Sequence, residues 1–436
     1  MDKWMIRSKI LEFKNLQITI PNGTVNKSYN FTFEDIFFLT NHINKLYFSG
    51  IEEIGLSYDQ NTKSLQGIPS KSGNFKVIIL FKIEGEQTST TVNEKEITFL
   101  INPDPKSLWK DIPSDTESIF WKVDDRSMSQ ELEEKSIVVS SKRGRSHKNV
   151  GSYRDDDFAF KQIKNSKWNI IAVSDGAGSA TFSRKGSQLI CNEVVKYFEE
   201  NIVNEQKLKS LEEEVSTLDF NEETSLSNEV LISTKKTLYK AVIHSHEKLN
   251  ELALQTYNET PHLFDKNTNE KNCINSFHST LVFTAFKKFA NGYVFLSFSV
   301  GDCPACIISK DKKQSTMLNW LDIGEFGGGT RFITQRNIFY SEDRPMATRF
   351  SVHFQKDFSF LFLMSDGIYD PKFEVEANLN KIEKWNEFIE DLQGLNESNI
   401  TIDFNAPIKS IENNLNDWMD FWSRGNHDDR TLAIIF

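Results

Sequence analysis

The sequence predicts an α+β protein in two parts, a small mostly-β module followed by a larger sandwich with sheets inside and helices outside. Three observations carry this expectation. At 436 residues the chain exceeds what one ordinary hydrophobic core supports. Its first hundred residues show short β runs broken by closely spaced turn residues. From residue 135 onward, apolar strand runs are interleaved with a few long amphipathic helices.

In the first part, Leu16-Gln17-Ile18-Thr19-Ile20 alternates apolar and polar and is expected as a strand, and Phe75 to Phe81 is a buried-strand run. Tyr29 to Phe48 leaves room for a short helix. Gly55-Leu56-Ser57-Tyr58-Asp59, Gly67-Ile68-Pro69 and Ser72-Gly73-Asn74 punctuate the region with turns. The run from Gly55 to Ile83 resembles the immunoglobulin/cadherin-like modules of bacterial proteins, which implies an immunoglobulin-like domain over residues 1–105. Pro103, Pro105 and Pro113 deny helix and inner-strand continuation, so 106–134 reads as a linker, with Trp109 and Trp121 suggesting that it packs on something.

The second part, 135–436, begins with strand runs at Ile137–Val139 and Asn169–Val173. Leu281–Phe283, Val294–Val300, Ser359–Met364 and Leu432–Phe436 are further strands. Helices are expected over Gly186–Ile202, Ser227–Thr256 and Leu379–Leu395. The acidic stretch Glu205–Leu226 lacks strand character and reads as a surface insertion.

Composition narrows the function. A balance of 38% hydrophobic and 26% charged residues is that of a soluble globular protein, and 35 Phe are expected in packed cores. A net charge of −11 argues against general nucleic-acid binding, which needs a basic footprint. No apolar run approaches the roughly 18 residues of a membrane span, and Met1 to Arg7 lacks the apolar stretch of a secretory signal. The four cysteines are scattered, so a reducing cytoplasm is the expected location.

The informative feature is where the aspartates fall. Three apolar strands run directly into one: Ala172-Val173-Ser174-Asp175-Gly176, Ser299-Val300-Gly301-Asp302, and Leu363-Met364-Ser365-Asp366-Gly367. Asp428-Asp429 immediately precedes the terminal strand, and Asp155-Asp156-Asp157 precedes Phe158-Ala159-Phe160. A single Asp-Gly after a strand is a turn signal. Five such sites in one chain imply converging carboxylates, whose charge must be compensated. All-oxygen ligands select hard cations such as Mg²⁺, Mn²⁺ or Ca²⁺ over Zn²⁺.

The ordered series RDDDFAF, VSDGAGSA, STLVFTAF, SVGDCPA, LMSDGIYD and DDRTLAII resembles the PP2C (PPM) family of metal-dependent serine/threonine protein phosphatases, in its divergent bacterial branch with Asp-Gly-Ala-Gly. The resemblance covers about residues 140–436 and implies an α/β/β/α sandwich, two central sheets flanked by helices. It also implies two Mg²⁺ or Mn²⁺ ions, with a third, weaker site at Asp302. Asp175 would bridge the two ions, with the Gly176 carbonyl on one of them. Asp366 and Asp428 would complete one shell, Asp428 fitting the Asp-x-x-Thr spacing to Thr431. Asp155 would ligate the other ion and Asp156 would hold its water, with the register inside the triplet open by one residue. The implied reaction is attack by an activated water on phosphoserine or phosphothreonine, without a phosphoenzyme.

Two departures matter. Many members carry His after the bridging Asp-Gly, where this chain has Ala177; His147 is the candidate substitute for a general acid. The phosphate-binding arginine is open among Arg143, Arg145 and Arg154, with Arg145, near His147, the catalytic candidate. These departures keep a second function in view, a catalytically weak domain that binds phosphoproteins. The expected partners are a phosphoprotein substrate and a cognate Ser/Thr kinase, with the N-terminal module as docking site; neither nucleic acid nor membrane is expected.

Other features carry less. Cys303-Pro304-Ala305-Cys306 lacks the second pair of a zinc ribbon. His244 and His246, two apart on a helix, point to different faces. Gly327-Gly328-Gly329-Thr330 lacks the strand, helix and Lys of a phosphate loop and reads as an active-site rim.

Overall fold

The computed structural model describes residues 2–33, 42–87, 92–220, 224–323, 329–342, 344–423 and 425–436. Gly327 and Gly328, and residues 34–41 of the stretch expected to leave room for a short helix, lie outside the described residues. The chain divides into two compact units, Met1–Lys110 and Asp111–Phe436.

The first unit opens with a helix, α1 (Lys3–Asn15), and Leu16–Ile20, expected as a strand, is irregular. Strands β1 (Gly23–Thr24), β2 (Tyr29–Thr32), β3 (Ile43–Ser49), β4 (Leu56–Asp59), β5 (Ser64–Gly67), β6 (Gly73–Ile83) and β7 (Asn93–Asn102) follow. They form a four-stranded sheet, β1-β7-β6-β3, and a three-stranded sheet, β2-β5-β4. Part of the region expected to hold a helix is therefore β2 and β3. In β6 every second residue from Val77 to Ile83 is buried, the period of a half-covered strand, and β7 answers with Ile97, Phe99 and Ile101. Both sheets contribute to one core, into which α1 sends its single buried residue, Phe13, against Phe81 at 4.3 Å between rings. The Lys95 ammonium satisfies the helix's last carbonyls at Lys14 and, just beyond, Leu16.

The second unit is the four-layered sandwich. Its strands are β8 (Asp125–Glu131), β9 (Ser136–Lys142), β10 (Asp157–Ile163), β11 (Trp168–Ser174), β12 (Leu281–Phe289), β13 (Gly292–Val300), β14 (Ala305–Ser309), β15 (Ser315–Met317), β16 (Phe350–Gln355), β17 (Phe358–Met364) and β18 (Arg430–Ile435). One antiparallel sheet runs β10-β11-β12-β13-β16 and the other β15-β14-β17-β18-β9-β8. An apolar layer between them includes Val139, Val173, Phe295, Leu363 and Ala433.

Helices cover the outer faces. On the first sheet lie α3 (Ser183–Tyr197), which continues as a π-helical turn over Phe198–Val203, α4 (Lys209–Val215) and α5 (Asn228–Glu259). The short α2 (Arg145–Val150) follows β9. On the second sheet lie α6 (Asp366–Phe373), α7 (Ile382–Leu392) and α8 (Ile408–Trp418). Because both faces of each sheet are covered, β11, β13, β14 and β18 are buried at every residue, and their sequences are near-continuous apolar runs. The helices keep a stripe instead: α7 buries Trp385, Phe388, Ile389 and Leu392. The insertion after Glu205 is not wholly superficial, since Leu211 and Val215 of α4 enter the core.

Residues 106–134, expected as a linker, mostly belong to this second unit. Strand β8 pairs with β9 along its whole length, Arg126 Nη1 donates to Asp157 Oδ1 at 2.6 Å, and buried Lys122 donates to Asp157 Oδ2 at 3.0 Å. Burial pushes the Asp157 carboxyl up, yet Lys122, Arg154 and Arg126 together hold it down at about 2. Asp157 is therefore held charged, and two of its three cationic partners, Lys122 and Arg126, lie N-terminal to 135. Residues 111–436 should fold cooperatively without the first unit. A fragment starting at 135 strands a buried carboxylate, a defect worth about 3–5 kcal/mol. Denaturant unfolding of the two fragments checks this, and equal midpoints would refute it.

Candidate metal centre

Strand register explains why distant aspartates meet. Asp157 of β10 pairs with Ser174 of β11, so Asp156 and Asp175 sit on adjacent chain ends. Leu281 pairs with Val300, which puts Gly301-Asp302 at the same edge. In the other sheet Met364 pairs with Leu432 and Arg430 with Lys142, bringing Asp366, Asp428-Asp429 and the segment after β9 together. The two Asp-Gly pairs have a further cause. A Cβ on Gly176 would lie 2.6 Å from the Asp155 carbonyl oxygen, and one on Gly367 would overlap that of Asp429. Glycine is required there because neighbouring backbones approach the carboxylate-bearing turns.

The carboxylates repel one another. Burial, and next the charge of Asp429, raises both Asp155 and Asp156 to about 7. Burial and then Asp366 push Asp175 well above the usual range, and burial followed by Asp302 and Asp428 does the same to Asp366. Asp302 and Asp428 are raised too, by burial first. Asp156 Oδ1, Asp302 Oδ1 and Asp366 Oδ1 are buried without a hydrogen-bond partner among the described residues. Orphaned oxygens on mutually repelling carboxylates are a donor set that fits hard divalent cations. Asp175, Asp302 and Cys303 can each direct one donor atom into a sphere where all lie within 4.8 Å of one another; His147, Asp428 and Asp429 form a second such group.

Asp155, Asp156, Asp175, Gly176, Asp302, Asp366 and Asp428 thus lie at one end of the sandwich. In the triplet, Asp157 is consumed by its ion pairs, leaving Asp155 and Asp156 facing the cluster. Asp156 Oδ2 accepts from the Thr431 hydroxyl at 2.9 Å.

Asp429, which the Asp-x-x-Thr spacing passes over in favour of Asp428, has a different part. Its carboxylate accepts from the Gly144 amide at 2.6 Å, from the Asp155 amide, and from His147 Nδ1 at 3.0 Å. Burial raises its pKa, but His147 and the two amides outweigh this and lower it. The same pairing works on His147: burial alone would lower it, yet Asp429, Asp155 and Asp428 raise it to about 10. His147 Nε2 then faces Asp428 Oδ1 at 3.7 Å and Asp155 Oδ2 at 3.9 Å.

The arginines depart from expectation. Arg143 is spent on Asp124 and the Ile112 carbonyl, and Arg154 on Ser141 and the Val123 and Asp156 carbonyls. Arg145 turns the other way, donating to the Asp420 carbonyl at 2.6 Å over the Trp422 ring, and contacts none of the carboxylates. Each is anchored by backbone carbonyls, whereas the His147 imidazole faces the cluster. Ala177 donates its amide to the His278 carbonyl and presents only a methyl.

No curated relative matches the chain. Solved structures with a likeness to it include a bacterial serine phosphatase, 15% identical over 71% of this chain and 97% of that one, with a TM-score of 0.36. Another is the S. agalactiae serine/threonine phosphatase, 12% identical over 71% and 99%, TM-score 0.38. A third is the catalytic domain of the serine threonine protein phosphatase PstP in complex with two manganese ions, 14% identical over 71% and 97%, TM-score 0.36. The family model described as protein phosphatase 2C matches residues 143–419, more than half of the chain, which therefore belongs to the protein phosphatase 2C family and is an enzyme of protein-phosphatase type.

Proposed function

We propose that the chain hydrolyses phosphoserine and phosphothreonine in proteins at a two-cation aspartate site. The observation that carries this is the set of orphaned, mutually repelling carboxylate oxygens on Asp156, Asp302 and Asp366, gathered with Asp175 at one end of the two sheets. Bound Mg²⁺ or Mn²⁺ would supply an activated water and neutralise charge developing on the phosphoryl oxygens. Asp175, the Gly176 carbonyl, Asp155, Asp366 and Asp428 would hold the two ions, Asp156 would hold a bound water, and Asp302 would serve a weaker third site.

His147 takes the part first sought among the arginines. Held by Asp429 through Nδ1, and with its pKa raised by Asp429, Asp155 and Asp428 in the metal-free protein, it turns Nε2 toward half-exposed Asp428. From there Nε2–H can hold a phosphate oxygen or give its proton to the departing seryl or threonyl oxygen.

The first unit, Met1–Lys110, is read as the docking element for the phosphoprotein or its kinase. Its helix α1 buries only Phe13 and leaves Trp4, Met5 and Leu11 exposed, apolar side chains suited to a protein partner.

With Mn²⁺ or Mg²⁺ and a phosphopeptide, the chain should release phosphate, and chelation should stop it. Asp175→Asn should lower turnover by at least about a hundredfold. Activity that survives chelation or this substitution would exclude the two-cation site, and tight phosphopeptide binding without turnover under any metal would favour the binding function instead. Removal of residues 1–110 should spare peptide hydrolysis while impairing action on the natural phosphoprotein, and equal loss of both would leave no docking role.

The His147 pair gives a pH test. A histidine whose folded pKa lies near 10 binds its proton more tightly in the native state than at its ordinary 6.5. Its contribution is thus complete below about 6.5 and disappears as the pH climbs through about 10. In metal-free protein, the stability advantage of wild type over His147→Gln should shrink as pH rises from about 7 to about 10. Denaturant melts across that range read it; a gap that is constant or widens would contradict the imidazolium.

A further inference from the structure

One donor among the carboxylates is not an oxygen. The turn after β13 carries Gly301-Asp302-Cys303, so a buried thiol stands next to Asp302. Sγ of Cys303 and one carboxylate oxygen each from Asp175 and Asp302 all lie within 4.8 Å of one another. Two further contacts aim this group. The Thr280 hydroxyl accepts the Asp175 amide at 2.9 Å and lies 3.3 Å from Sγ, so one residue positions both the aspartate and the sulfur. Asp302 Oδ2 is held by the Thr330 hydroxyl at 2.5 Å, while Oδ1, buried on a residue only 9% exposed, has no partner among the described residues.

Sulfur–metal bonds of about 2.3 Å and oxygen–metal bonds of about 2.0–2.2 Å place S and O ligands of one ion roughly 3.5–4 Å apart. A set already within 4.8 Å closes on an ion by side-chain movement alone. Thiolate changes which ion is favoured, because soft sulfur prefers Zn²⁺ and its relatives over Mg²⁺. Among the described residues, no other cysteine falls in such a group.

We propose that Cys303 Sγ, Asp175 and Asp302 form a mixed sulfur–oxygen pocket for a borderline divalent cation, Zn²⁺ or Co²⁺, that competes with the hard-ion site for Asp175. Coordination releases the thiol proton to solvent and withdraws Asp175 from its bridging position, so Zn²⁺ acts as an inhibitor by displacing the activating ions. The idea rests on Asp175 being a cation ligand, as proposed above.

The test uses the full chain stripped of metal by a chelator and titrated with Co²⁺ alone. Wild type should develop a sulfur-to-cobalt charge-transfer band in the near ultraviolet. The band should be missing in Cys303→Ser, be retained in Cys306→Ser, and be erased by added Zn²⁺. The ratio of Zn²⁺ to Mn²⁺ affinity should fall by at least about tenfold in Cys303→Ser. A wild-type protein that binds Co²⁺ without the band overturns the proposal whatever the variants do, as does a band that survives Cys303→Ser. Equal loss of Zn²⁺ and Mn²⁺ affinity in Cys303→Ser, which marks a structural role only, also overturns it. The two readings fail separately: no band with Mn²⁺ binding intact sinks only the sulfur pocket, whereas Mn²⁺ affinity unchanged by Asp175→Asn sinks the hard-ion site.

Discussion

Repulsion between buried carboxylates is the constraint around which the second unit is built. Asp155, Asp156, Asp175, Asp302, Asp366 and Asp428 share one end of the sandwich, and burial raises each of them above its ordinary value. A group of like charges withdrawn from water costs free energy that the rest of the fold must offset. Two devices confine that cost. Asp157 is removed from the repulsion by Lys122, Arg126 and Arg154, and Asp429 by His147 and two backbone amides. What remains uncompensated is the set of oxygens left for cations.

The four layers supply the stiffness this needs. A carboxylate on a mobile loop would swing away from its neighbours; these project from the ends of strands covered on both faces. Their positions are fixed by backbone register, which slides only in steps that would turn every buried side chain outward. The site is therefore set by hydrogen bonds and apolar packing well away from the charges, in a core too large to yield to local strain.

The same physics decides what could be read from the sequence. Strands covered on both faces appear as unbroken apolar runs, so β11, β13, β17 and β18 were legible, and with them the aspartates at their ends. Context-dependent elements were not. Leu16–Ile20 alternates like a strand, but the chain there is leaving α1. Helix α8, with Ile411, Leu415 and Trp418 buried, is diluted by asparagines and polar residues and went unread. Residues 111–134 carry prolines that speak for a linker, although β8 and Lys122 complete the sheet edge and the charge balance. Asp429 could be seen but not interpreted, because its part is defined by Gly144, His147 and Asp155, nearly three hundred residues away. A doublet of aspartates before a strand was the only local sign that the two do different things.

The choice of imidazole over guanidinium at the mouth follows from the surroundings. An arginine brings up to five donors and a permanent charge, and in this unit Arg143 and Arg154 place theirs on backbone carbonyls and on partners that lock the segments flanking the site. A guanidinium facing Asp155 and Asp428 could neutralise them but could not release a proton. Imidazole does both. Asp429 holds Nδ1, orienting the ring, and leaves Nε2 turned toward Asp428 and Asp155. With Ala177 presenting only a methyl, the proton donor proposed for the departing oxygen is His147, whose Nδ1 is held by Asp429 while Nε2 faces Asp428 and Asp155.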